Sequence, residues 1–301
     1  MAAGMDPRLP EDLKHAIFEH VAITEPEMMP ALMLVARRVH TWITPLVFRT
    51  VRLNNWPHAL AFLHAVLHRP AAVLPHVRHL ALEGRSAGPL LPADVLERIV
   101  ARCPNLHALG TTPHYDKHAA LLPALAAGPG RLRNVTTVLR HALGTGGADS
   151  LLPAFAHVTH LCLLDEITEQ PARAAVCAAL PGLAALTHVR LTAIQYARRP
   201  GVAADLLRDL GAVLRRVPAL RVLLVTGVTF GPAALQLGAA DGDADIRLVF
   251  AAVSHDYARF WRAWEDTLRG RVPDLWARAE EFVQAKREGR INAAEMWLAP
   301  E

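Results

Sequence analysis

One short pattern, Leu-x-x-Leu-x-Leu with Val allowed at each place, returns along the chain and constrains its fold more than any other feature. It stands as Val77/Leu80/Leu82 in PHVRHLALEG, Val158/Leu161/Leu163 in AHVTHLCLLDE, Leu186/Val189/Leu191 and Leu220/Leu223/Val225. Weaker copies begin at Leu106, Val135 and Ile246. The starting positions are 23 to 34 residues apart, and the widest interval carries an insertion, ARRPGVAADLL. Apolar residues at alternate positions mark a strand, whose side chains point to opposite faces in turn. Helix-compatible stretches fill the intervals, such as ADVLERIVARC before Leu106 and ADLLRDLGAVLRRV before Leu220. One strand with one helix cannot bury its apolar face alone, so stacking of neighbouring units has to supply the core.

A spacing of about 20 to 29 residues is that of leucine-rich repeats. The predicted class is therefore alternating α/β: an irregular leucine-rich-repeat solenoid over residues 54–253, a short helical module before it at 5–53, and a helical C-terminal cap at 254–298. A doubly wound α/β domain also alternates parallel strands with helices, but regular spacing and repeated wording favour the solenoid. In the tail, Phe260, Trp261, Trp264 and Leu268 share a helix face, Gly270 and Pro273 break it, and Leu275, Trp276 and Phe282 continue. Solenoids need terminal caps, and these aromatics are expected to close the last repeat.

In the first segment, Pro10 is expected at the first helical position, followed by Glu11 and Asp12 at the positive end of the helix dipole. Leu13, Ile17 and Val21 recur four apart on one face. Pro26 and Pro30 interrupt, after which ALMLVARRVHTWI restarts a helix whose stripe is Leu34, Val35, Val39 and Trp42. Pro45 is expected to end that helix, and LVFRTVRL to form a short strand.

LPEDLKHAIFEHV followed by LMLVARRVHTWITPLVFRTVRL resembles the F-box of fungal F-box-like proteins that carry degenerate leucine-rich repeats. The resemblance covers about residues 8 to 53 by motif, extends to the repeats by architecture, and includes the tail PDLWARAEEFVQAKREGRI. It implies a substrate-recognition subunit of a cullin-RING (SCF-type) ubiquitin ligase. Leu9, Pro10, Leu13, Ile17, Leu34, Val35 and Trp42 would then dock a Skp-type adaptor, and the repeats would hold a protein substrate. The loop TEPEMMP departs from the family's short acidic-leucine turn, and the family's third helix is not evident in the sequence. The alternative is a leucine-rich-repeat interaction scaffold whose helical N-terminus is only a cap, with no ubiquitin role.

Composition narrows the setting. Three cysteines, Cys103, Cys162 and Cys177, form an odd set with no CxxC spacing, which suits a reducing, intracellular compartment, cytoplasmic or nuclear. No stretch reaches about 18 apolar residues free of charge or proline, so no membrane partner is expected. Net charge is only +4, with arginines scattered or in isolated pairs such as Arg37-Arg38 and Arg215-Arg216. Nucleic-acid binding needs a clustered basic stripe, and none is expected here.

No cofactor, metal or catalysis is expected either. The HxxH pairs His76/His79 and His157/His160 lie at strands, where residues three apart face opposite ways. His64 and His68 lack a third ligand nearby. Ser254-His255-Asp256 is contiguous and cannot form a hydrogen-bonded triad row. DGDADIRLVFAA has Ile246 and Ala252 where a calcium loop needs Gly and Glu, and Gly144-Thr145-Gly146-Gly147 lacks the phosphate-loop lysine.

What the pattern does predict is a binding row. The residues flanking its fourth position point to the concave strand surface, His79, His160 and His188 before it and Ala81, Cys162 and Arg190 after it, and next along come Glu83, Leu164 and Thr192. This row is expected to hold a protein partner, with binding that changes between about pH 5 and 8 as histidine titrates.

Overall fold

The repeated strands all lie side by side. A computed structural model of the chain describes residues 9–83, 91–112, 132–139, 152–167, 169–193, 200–227, 245–253 and 256–298. Among these residues nine strands form one sheet: β1 (Thr50–Leu53), β2 (His79–Leu82), β3 (Ala108–Thr111), β4 (Asn134–Thr137), β5 (His160–Glu166), β6 (His188–Thr192), β7 (Val222–Thr226), β8 (Leu248–Ala251) and β9 (Trp297–Leu298). Every neighbouring pair is parallel, and spatial order is sequence order throughout. A doubly wound sheet reverses its order at a switch point, and these strands show no such reversal.

The helices are α1 (Glu11–Thr24), α2 (Met29–Met33), α3 (Arg37–Arg49), α4 (Trp56–His68), α5 (Pro70–Val73), α6 (Ala93–Ala101), α7 (Leu152–Phe155), α8 (Gln170–Ala179), α9 (Pro200–Arg216), α10 (Tyr257–Leu268) and α11 (Leu275–Arg287). One apolar cluster joins the inner residues of α4, α6, α8 and α9 to one sheet face, through Phe62, Leu96, Val176 and Leu210 against Leu80, Leu109, Leu161, Val189 and Leu223.

Strand register follows the sequence pattern at six of the seven copies, each strand beginning two residues after the first apolar position, as His79 follows Val77. The exception is β4. Val135 pairs with Leu109 and Leu161, the fourth position of their copies, so this copy begins at Leu132, three residues before the expected start. Thr137 takes the sixth position, where its hydroxyl accepts from Thr111 Oγ1 at 3.0 Å, so a polar pair replaces the leucine that would have marked the register. An eighth copy, Phe48/Val51/Leu53, was not expected. Val51 and Leu53 pair with Leu80 and Leu82, so residues 50–53 belong to the sheet and not to the helical module.

Three further expectations are corrected. Pro10 caps α1 from outside, with φ −52° and ψ 149°, and its carbonyl accepts the first helical bond from Lys14 N at 3.0 Å. The segment around Leu34 is not one helix: α2 stops at Met33 and α3 starts at Arg37, so three helices are present where two were expected. Pro45 does not end α3, which runs on to Arg49. A proline there removes one bond to Thr41, but Ile43, Leu46 and Val47 all pack into the same cluster, and burial holds the helix together past it.

Candidate functional site

The N-terminal helices have a small core of their own. Ala22, Met29, Leu32, Val39 and Ile43 are buried there, with Phe18, Val21, Trp42, Leu46 and Val47 packed around them. Phe18, Val21 and Ala22 therefore define the inner side of α1, and the expected stripe of Leu13, Ile17 and Val21 splits. Leu13 and Ile17 are 51% and 52% exposed, Leu9 is 45% exposed, and Pro10 is exposed beside it. Leu34 and Val35 occupy the turn between α2 and α3 and are 86% and 60% exposed. Arg38 Nη1 meets Glu11 Oε1 at 2.8 Å, so the start of α3, with that turn just before it, lies beside the first turn of α1.

Six of the seven residues expected at the adaptor surface are thus uncovered apolar or proline side chains on one small unit. Trp42 differs: it is half-buried, stacks on His15 with ring centroids 5.0 Å apart, and lies against Phe18. It braces the unit from within. Leu13, Ile17 and Leu34 are not part of its buried core.

The other predicted surface is not open. α10 and α11 lie across the face that holds His79, Ala81, Glu83, His160, Cys162, His188 and Arg190. The tail does not merely close the last repeat: it crosses the face from β8 to β1 and returns to add β9 beside β8. Trp261 is fully buried over β3, where a Cβ on Gly110 would meet its ring at 2.5 and 2.7 Å, so only glycine admits α10 this closely. At the β1 end, Arg52 pairs with Glu83 and, at 3.5 Å, with Glu265, which also holds Arg269 at 2.8 Å. Arg269 Nη2 donates to Thr50 O at 3.4 Å. At the far end Ala279 and Val283 of α11 cover Val222, Leu224, Val249 and Ala251.

Between these ends the predicted histidines meet. His160 and His188 stack at 4.1 Å, within 2° of parallel, and Trp276 stands edge-on to both at 5.6 and 5.7 Å. His188 Nε2 and Glu280 Oε1 are 2.9 Å apart. Burial, and next the neighbouring His188, lowers the His160 imidazole to about 4. His188 is lowered too, by burial with Glu280 opposing, so the pair is neutral at neutral pH. His79 hydrogen-bonds with Thr50 Oγ1 at 2.9 Å and is lowered to about 4, chiefly by burial. The expected window of pH 5 to 8 for this row is therefore displaced downward. The third tier also departs from expectation: β5 is irregular after Cys162, Thr192 lies opposite Glu166 rather than Leu164, and its hydroxyl donates to Leu163 O at 2.9 Å.

The sequence carried a signal for this cover. β7 and β8 read Val222-Leu223-Leu224-Val225 and Leu248-Val249-Phe250-Ala251, continuous apolar runs of the kind found in strands buried on both faces. A further exposed apolar stripe stands on α4, where Trp56, Leu60 and Leu67 are 54%, 43% and 68% exposed at helical spacing.

Among the described residues no three His, Cys, Asp or Glu side chains are placed to share a metal ion, and no helix is long and apolar enough to cross a membrane. Burial raises the Cys162 thiol above its ordinary value, which leaves it a poor nucleophile. Ser254, His255 and Gly144–Gly147 lie outside the described residues. No protein-family model matches the chain, and no curated protein matches it in sequence.

Proposed function

We propose that this protein is a non-catalytic docking subunit whose N-terminal helices bind a Skp-type adaptor of a cullin-RING ubiquitin ligase, joined to a leucine-rich-repeat solenoid. The observation that carries the reading is the exposure of Leu9, Leu13, Ile17, Leu34 and Val35 on a unit whose core is built from other residues. Clustered apolar side chains left in water mark a protein contact. The sequence order of the parallel strands supports the solenoid, because each strand-helix unit then contacts mainly its neighbours.

Capping and docking use different sides of the same unit. α3 packs on β1 and α5, which is the cap's task, while the first turn of α1 and the α2–α3 turn remain free for a partner. The strand row assigned to a protein target is occupied by α10 and α11, so it is not part of this proposal.

The test is titration calorimetry of the full chain with a purified Skp-type adaptor. A saturable one-to-one complex is expected, and Leu13→Ala with Leu34→Ala should weaken it at least about tenfold, since central interface residues cost more than about 1 kcal/mol each. Circular dichroism should stay unchanged, because neither side chain belongs to the core. A folded wild-type chain that does not bind would overturn the adaptor reading and leave the scaffold.

A further inference from the structure

α10 and α11 do not seal the sheet face completely. Between them and strands β4, β5, β6 and β8 lies a cleft of about 670 Å³, within the range of small-molecule sites. Its floor includes Asn134, Cys162 and Arg190, and its walls include Phe260, Trp264 and Trp276.

The polar chemistry of the floor is unfinished. Arg190 is half-buried, its Nε donates to Thr226 Oγ1 at 3.0 Å, and its guanidinium carbon sits 5.1 Å from the Phe260 ring centroid. No carboxylate among the described residues pairs with it. The two aspartates in the lining are engaged elsewhere: Asp266 pairs with Arg271, and Asp274 accepts from Trp276 N at 3.0 Å to cap α11. Asn134 Oδ1 is buried with no hydrogen-bond partner. Arg259 and Arg262 add further positive charge to the wall, so the arginines in the lining outnumber its two aspartates.

A half-buried guanidinium without an acid, walled by aromatic rings, calls for one kind of guest. We infer that the cleft binds a small organic carboxylate with an aromatic body, the carboxylate on Arg190 and the ring among Phe260, Trp264 and Trp276. A guanidinium takes a carboxylate in two parallel hydrogen bonds. The guest would also bridge the sheet to both C-terminal helices. This inference stands apart from adaptor docking, which uses other residues at the other end of the chain.

The experiment is calorimetry of the full chain with 2-naphthoate, 2-naphthamide, hexanoate and inorganic phosphate as separate probes. Expected is saturable one-site binding of 2-naphthoate. The amide, which lacks the charge, and hexanoate, which lacks the ring, should each bind at least about tenfold more weakly. Phosphate should not displace the naphthoate at equal concentration. Arg190→Gln should lose affinity by the same factor with its circular dichroism unchanged. Should that variant not fold, the acid and amide compared on the unaltered chain decide the matter. An amide as tight as the acid, hexanoate as tight as the naphthoate, no saturable heat up to ~1 mM, or a folded Arg190→Gln that binds unchanged would each overturn the inference.

Discussion

The two helical ends of this chain use large apolar side chains in opposite ways. At the N-terminus α1 and the α2–α3 turn hold Leu13, Ile17, Leu34 and Val35 out in water, while α10 and α11 turn Trp261, Ala279 and Val283 onto the sheet. Both ends are amphipathic helices joined by short turns. What separates them is the surface within reach. The N-terminal unit completes a core with its own Phe18, Leu32, Val39 and Ile43, and so has apolar residues to spare. The C-terminal pair has little core of its own and faces a sheet whose β7 and β8 are apolar on both sides.

The largest effect that would test this contrast comes from cutting back its most buried ring. Trp261→Ala should cost about 3 to 5 kcal/mol in a denaturant titration. Ile17→Ala should cost less than about 0.5 kcal/mol, the range of surface positions. Equal losses would mean that α10 is not held on the sheet as described.

A middle-sized effect is expected from acid. His160 and His79 take up a proton at about 4 in the folded chain, against 6.5 for the unperturbed side chain. As pH falls from 6.5 the unfolded state gains protons that the folded state refuses, so stability is whole above about pH 7 and drains between 6.5 and 4. Below about 4 these two groups contribute no further change. Thermal melts from pH 7.5 to 4 should show the decline, and His160→Gln should make it shallower. A melting temperature flat across that range would show that the face is not closed over its histidines.

The smallest effect sharpens the other side. Leu34→Ser, at the most exposed large apolar residue among those described, should leave the denaturation midpoint within the spread expected of a surface change, about 0.5 kcal/mol either way. A loss beyond 1 kcal/mol would place Leu34 in a contact that its exposure does not show.

Where the sequence was legible, a short period carried the message. Alternation of apolar residues placed eight strands, one in LVFRTVRL and seven in the repeated pattern, six of those seven in register, because side chains on a strand have no choice but to alternate. The tail's two helices and the break at Gly270, whose φ is +73°, were legible for the same local reason. β4 was misplaced because Thr137 stands where the pattern expects a leucine, and only pairing with β3 and β5 restores its register.

The candidate sites were less legible. The helical period marks Leu13, Ile17, Leu34 and Trp42 alike as apolar, but it does not say which of them face a core: that depended on three helices meeting, and Trp42 went inward while the others stayed out. On the sheet, alternation correctly set His79, His160, His188, Cys162 and Arg190 on one face. What covers that face was decided by contacts between residues far apart in the chain, such as His188 with Glu280 and Gly110 with Trp261. The sequence by itself determined the repeating unit and the two sides of every strand, since both follow from backbone geometry within a few residues. The tertiary structure alone decided that one end of the chain leaves its leucines in solvent while the other folds back over the strand row, because that choice turns on which surfaces meet.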